Sequence, residues 1–135
     1  MNSSKPYSLG RSERLKSRKQ IDALFENGKK ITVSPIRLIY KYISGGSEIK
    51  AGFTVSSKTF PRAVDRNRIK RLSRESYRLQ KKELESVVLK NEFTLHLFFI
   101  YTGREIVPFT EMAGRIKQVL DKLIRLLNEN HTANT

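Results

Sequence analysis

The chain has no cysteine, so disulfides and thiolate metal sites are excluded, and a reducing compartment is expected. Acids are few: 13 Asp and Glu against 27 Lys and Arg. They are scattered, with no D-x-D, H-x-x-x-H or Glu/His cluster. A metal-dependent nuclease needs clustered carboxylates, so neither a catalytic residue nor a metal site is expected on this chain. Of the two histidines, His96 lies inside an apolar stretch and His131 near the end. A lone strand histidine is more often structural than a general base. Ser56 and Lys58 would share a strand face, but phosphate contact or turn chemistry explains them better than a nucleophile pair. Gly45-Gly46 lacks the flanking pattern of a nucleotide-binding loop. Long apolar runs are also missing. The longest, Leu95 to Tyr101, has strand length, short of the ~18 residues of a membrane span. The opening MNSSKPYSLGRSERLK has no apolar signal-peptide core. A soluble, cytoplasmic protein without a membrane partner is the expectation.

What the chain has in excess is positive charge. Its 135 residues suit a single domain, 1–135, with flexible ends at 1–14 and 129–135. The net charge of +14 points to a polyanionic partner. The densest basic run is arginine-rich, and guanidinium forks match phosphate oxygens, which favours nucleic acid. The charge concentrates in Pro61 to Lys82, PRAVDRNRIKRLSRESYRLQKK. At helical spacing Asn67, Lys70, Arg71, Arg74, Arg78, Lys81 and Lys82 share an arc of roughly 120°, with Ile69, Leu72, Ser76 and Leu79 opposite. This periodicity predicts a helix packed by its Ile/Leu stripe, with a cationic face in solvent. It starts at Pro61 as the first helical residue, with Asp65 as an alternative N-cap, and ends between Glu85 and Asn91.

Before it, Ser17 to Gln20 reads as a capping box. It opens a short helix, Arg18 to Asn27, which Gly28 could close in a left-handed conformation. Lys29 to Pro35 reads as a connector. Ile36 to Ile43 is a strand with Ile36, Leu38, Tyr40 and Tyr42 on one face and Arg37, Ile39, Lys41 and Ile43 on the other. The turn Ser44 to Ser47 predicts an antiparallel partner, Ile49 to Ser56, in which Gly52 marks a bulge or close approach. Phe93 to Tyr101 is apolar on both faces and belongs in the centre of a sheet. Pro108 introduces a last helix, Phe109 to Asn128, with Met112, Ile116, Val119, Leu120, Leu123, Ile124 and Leu127 on one face. The order α-β-β-α-β-α predicts an α+β fold, an α/β sandwich with helices packed on a small mixed sheet. The basic helix would cross over between parallel strands. Tyr40, beside Lys41, is a candidate for stacking unpaired bases, as sheet aromatics among cations are. The alternative is ordinary half-buried packing, and for Phe25 the core is the commoner place.

The run Ala63-Val64-Asp65-Arg66-Asn67-Arg68-Ile69-Lys70-Arg71-Leu72-Ser73-Arg74-Glu75 resembles the RNR signature of the bacterial ribonuclease P protein family. Arg14-Leu15-Lys16 followed by Ile21 to Gly28, then Leu38-Ile39-Tyr40 and Gly52-Phe53-Thr54-Val55-Ser56, match other parts of that family in order. The likeness spans about residues 11–127. It implies an α/β sandwich with a left-handed β-α-β crossover, against the usual hand. It also implies a protein subunit of a ribonucleoprotein that removes the 5′ leader from precursor tRNA. Catalysis there belongs to the RNA subunit, which uses Mg²⁺, and no obligate protein partner is implied. By the resemblance, Arg66, Asn67, Arg68, Lys70, Arg71 and Arg74 face the catalytic RNA, while Phe25, Tyr40 and Lys58 line a cleft for the leader. The chain departs from the family pattern at Ile21, often aromatic there, at Ser57 in place of a lysine, and at Tyr101 in place of a frequent arginine. The competing readings are a ribosomal protein or general RNA chaperone, and a self-sufficient nuclease.

Overall fold

A computed structural model describes residues 13–133. The elements run α1 (Arg18–Asn27), β1 (Lys29–Val33), β2 (Ile36–Ser44), β3 (Ile49–Val55), α2 (Ala63–Gln80), α3 (Lys82–Asn91), β4 (Phe93–Tyr101) and α4 (Phe109–Ala133). The strands form one mixed sheet in the order β1-β2-β4-β3. β4 is central because both its faces are apolar. It pairs antiparallel with β2 and parallel with β3, so β3, α2, α3 and β4 form the expected parallel crossover. The fold is α+β.

Register decides which residues meet. Leu97 of β4 lies opposite Tyr40 on β2 and Ala51 on β3, and Phe98 lies opposite Ile39 and Gly52. Side chains alternate along each strand, so the sheet has two distinct faces. On one, Ile36, Leu38, Tyr40, Leu95, Leu97, Phe99 and Tyr101 join the buried stripe of α4, with Ile69 and Tyr77 of α2 and Leu84 and Val88 of α3, in the main core. All seven predicted apolar positions of α4 are buried. Each side chain of this size contributes roughly 1.5–3 kcal/mol when fully buried. Among the described residues, the other face carries α1 and the short segment before it, over a small cluster of Leu15, Leu24 and Ile39 with Ile21, Phe98 and Ile100 packed against it.

Several expectations are corrected. Lys29 to Pro35 is no simple connector: β1 pairs with β2 through the Ser34-Pro35 turn, with Ile31 opposite Leu38 and buried. β2 and β3 do not form a hairpin, because β4 inserts between them. The link holds β4 instead, through Gly45 N–H to the Glu92 carbonyl (3.1 Å) and Leu95 N–H to the Glu48 carbonyl (2.8 Å). The basic segment is two helices broken at Lys81, and the break lets Leu84 and Val88 of α3 reach the core. α2 starts at Ala63 with Arg62 as N-cap, which places Asp65 inside the first turn. There it complements the helix dipole.

Gly28 is extended (φ −73°), not left-handed; it is required because a Cβ would lie 2.5 Å from the Leu24 carbonyl and 2.6 Å from Ile39 Cγ2. α4 continues to Ala133. Glu13 and Arg14, expected in a flexible tail, are held: Arg14 bridges to Ala51 and Glu13 pairs with Lys81. The expected flexibility of 1–12 and 134–135 lies outside the described residues. Two expectations hold in detail. Ser17 Oγ accepts the Gln20 N–H at 3.3 Å, and Gly52 is a close approach, with the Phe98 ring 2.7 Å from where its Cβ would be.

Candidate nucleic-acid interface

The buried side of α2 combines two large side chains, Ile69 and Tyr77, with two small hydroxyls, Ser73 and Ser76, and leaves the cations to the opposite side. Ser73 and Ser76 donate to the Ile69 and Leu72 carbonyls at 3.0 and 2.8 Å, which satisfies their hydroxyls within the helix. α4 can then approach closely, with Met112 Sδ 3.7 Å from Ser73 Oγ. Asn67, Lys70, Arg71 and Arg74 are turned outward. With Arg14, Leu15 and Lys16 and the edge of β3 from Ala51 to Phe53, they line a pocket of about 460 Å³ that no acid lines. The segment Arg14–Lys16 is the far wall: Leu15 N–H donates to the Ala51 carbonyl at 3.0 Å and Leu15 is buried. Such a pocket suits anionic oxygens.

The six signature residues separate into three groups. Asn67, Lys70, Arg71 and Arg74 come together in the pocket. Arg68 is exposed outside its lining. Arg66 folds back, donating from Nη1 to the Phe60 and Pro61 carbonyls at 2.9 and 2.8 Å, and so closes the loop that enters α2. Lys81, predicted in the cationic arc, is 2% exposed and pairs with Glu13 and Glu85 instead of facing solvent.

The expected cleft residues separate as well. Phe25 is 51% exposed on α1, edge-on to Phe98 with centroids 5.6 Å apart. Tyr40 is 2% exposed in the main core, on the opposite face of the sheet. Alternation along β2 dictates this: Ile39, not Tyr40, faces α1. Burial raises the Tyr40 phenol above its ordinary pKa, with a smaller contribution from Tyr42. In this structure Tyr40 is a packing residue, which corrects its place in a cleft. Lys58 is exposed in the loop after β3, which leaves the sheet where Val55 lies opposite Tyr101. That strand end is three residues along β4 from Phe98, the ring that Phe25 touches, or roughly 10 Å, so Lys58 lies in the loop beyond the strand rather than on the sheet face under α1.

By register, the α1 face of the sheet also carries Arg37 and Lys41 on β2, His96 on β4 and Lys50 on β3. Sequence reasoning did not assign these, nor Arg14, Lys16 and Phe98, to a site. The period-2 pattern of β2 already placed Arg37 and Lys41 on the face away from Tyr40. Burial lowers the pKa of His96, and Lys50 and Lys41 lower it further against the opposing effect of Glu48. The neutral imidazole is therefore favoured. Among the described residues no three His, Cys, Asp or Glu side chains come together as a metal site. The pocket's donors are cations and an amide, which do not fit Mg²⁺. No described helix is long and apolar enough to cross a membrane.

A basic α+β protein with an acid-free cationic pocket beside a half-open sheet face is a polyanion-binding protein by construction. The comparisons give the family. The ribonuclease P family model matches residues 9–128. The ribonuclease P protein component of Porphyromonas gingivalis is 34% identical over 128 residues, 91% of each chain. That of Chlorobaculum tepidum is 33% identical over 127 residues, 86% of this chain and 82% of its own. The Staphylococcus aureus RNase P protein superimposes with a TM-score of 0.64 over 84% of this chain and 96% of its own; at 19% identity this supports the fold alone. The chain belongs to the ribonuclease P protein component family and is a subunit of that endoribonuclease holoenzyme, associated with the ribonuclease P RNA. A ribosomal protein or general chaperone is not favoured.

Proposed function

We propose that this subunit docks on the catalytic RNA through the α2 pocket face and holds the single-stranded 5′ leader of precursor tRNA along the sheet face beside α1. The observation that carries the reading is the pairing of two adjoining surfaces. One is a cationic pocket without acids. The other is a sheet face on which an exposed Phe25 leans on Phe98 among Arg37, Lys41 and Lys50. Cations neutralise phosphate repulsion between two RNAs and release counterions. An exposed ring offers a stacking platform indifferent to base identity, as a variable leader requires. Asn67, which can both donate and accept, sits among side chains that only donate and can contact a base or ribose.

In this reading phosphodiester hydrolysis is carried by the RNA subunit, with Mg²⁺ held mainly by RNA, and the protein's residues bind and orient. The holoenzyme works in the cytoplasm. Reconstitution with the cognate RNA subunit at near-physiological salt and Mg²⁺ tests it: precursor tRNA with its leader should bind better than mature tRNA. Equal binding would remove the leader surface from the reading. Specific cleavage by the metal-replete protein alone would replace it with a self-sufficient nuclease.

A further inference from the structure

The pocket beside α2 has two walls of different origin. α2 supplies Asn67, Lys70, Arg71 and Arg74, and the segment before α1 supplies Arg14 and Lys16. The second wall is only a few residues of extended chain. Its anchors include the Leu15 N–H bond to Ala51, the buried Leu15 side chain and an ion pair. That pair is unusual. Lys81 is 3% exposed at its side chain, and its Nζ donates to both carboxylate oxygens of Glu13, at 2.9 and 3.1 Å. Glu85 is farther, at 3.7 Å. A buried ammonium is costly unless it is paired with good geometry, so Lys81 fixes Glu13, and Arg14 follows Glu13 directly.

We propose that Arg14 and Lys16 complete a phosphate-binding site for RNA with the α2 cations, and that Glu13, through Lys81, is the positioning residue that holds their wall in place. This rests on the RNA-docking reading above and extends it to a segment outside the signature helix. The ligand is a backbone phosphate: the site offers cations and one amide, and its long side chains converge from two walls without a carboxylate to oppose an anion.

Glu13→Ala removes an acid from a +14 protein. If Glu13 were only a surface charge, RNA affinity would rise. As a positioning residue, its loss should weaken binding to the RNA subunit several-fold and make the salt dependence shallower, because Arg14 and Lys16 no longer reach phosphate. Glu85→Ala removes a second acid near Lys81 that does not line the pocket, and its affinity should be unchanged or higher.

The second variant, Arg14→Ala with Lys16→Ala, changes two exposed side chains. It should reduce the slope of log K against log salt by about 1.5, at roughly 0.7–0.9 per lost contact. The measurement is a salt titration of binding to the RNA subunit, with circular dichroism to check folding. Unchanged or tighter binding by Glu13→Ala overturns the positioning role. If Glu13→Ala fails to fold, the Arg14/Lys16 pair decides, and an unchanged slope there overturns the site. Lys70→Ala with Arg71→Ala separates the two levels. If it loses affinity while the Arg14/Lys16 variant does not, the docking reading stands without this extension; if neither loses affinity, the docking reading itself fails.

Discussion

On one face of the sheet Tyr40 is 2% exposed beneath α4; on the other Phe25 is 51% exposed beside α1. Both are aromatics at positions that the family resemblance associates with the leader, and only one can meet a base. The covered face packs against the buried sides of α2, α3 and α4. Among the described residues the α1 face has one ten-residue helix and keeps Arg37, Lys41 and Lys50 around a small apolar cluster. The difference separates a face spent on burial from one that leaves an exposed aromatic ring and several cations open to a partner. A sheet covered on both sides would be more stable and would have no platform for RNA.

Tyr40→Ala should break this comparison most visibly. Truncating a core aromatic costs about 3–5 kcal/mol, so the variant should show a large fall in thermal midpoint and lose RNA-subunit assembly and leader binding together. A well-folded variant deficient only in leader binding would put Tyr40 back in the cleft. Phe25→Ala should do the reverse. Its midpoint should barely move, while the preference for leader-bearing precursor over mature tRNA falls by about tenfold, within the ~1–3 kcal/mol of one base-stacking contact. An unchanged preference would show that the ring is idle.

Arg66→Ala sharpens the contrast within the signature itself. It removes two hydrogen bonds to carbonyls in a partly exposed loop, for an expected loss of about 1 kcal/mol measured by urea unfolding. The salt slope of RNA binding should hold nearly constant, whereas Lys70→Ala with Arg71→Ala should lower it. A slope that falls equally for Arg66→Ala would mean that its guanidinium also reaches phosphate.

The smallest effect concerns His96. Its folded pKa lies below the ordinary 6.5, so the unfolded chain binds more protons between the two values. Stability should be constant above about pH 6.5 and decline as pH falls toward the folded pKa. His96→Gln should flatten that decline. Bound RNA should flatten it too, since a nearby phosphate offsets the repulsion from Lys50 and Lys41.

Local chemistry was legible wherever one residue type dictates one conformation. Ser17 capped α1, the stripe of α4 was buried in full, and β4 was central because neither of its faces could bear water. Pairing was not legible. The Gly45-Gly46 turn argues for a hairpin, and only the arrival of β4, about forty residues later in the chain, decides that β2 and β3 are separated. Lys81 sits in the cationic arc by periodicity, yet the chain breaks there and buries it against Glu13. No pattern in sequence announces an ion pair across 68 residues.

What the sequence determines by itself, then, is the sign and place of the charge, the α+β class, and the family. Periodicity and a contiguous signature are local properties, legible within one segment, and composition needs no fold at all. What only the tertiary structure decides is which cations converge. The α2 face becomes a pocket because β3 lies beside it and Glu13–Lys16 runs along that strand's open edge. Phe25 stays exposed, and Tyr40 becomes a core residue, because the two sheet faces are covered by different numbers of described helices. Neither outcome is contained in any single segment, since each depends on the order in which distant strands pair.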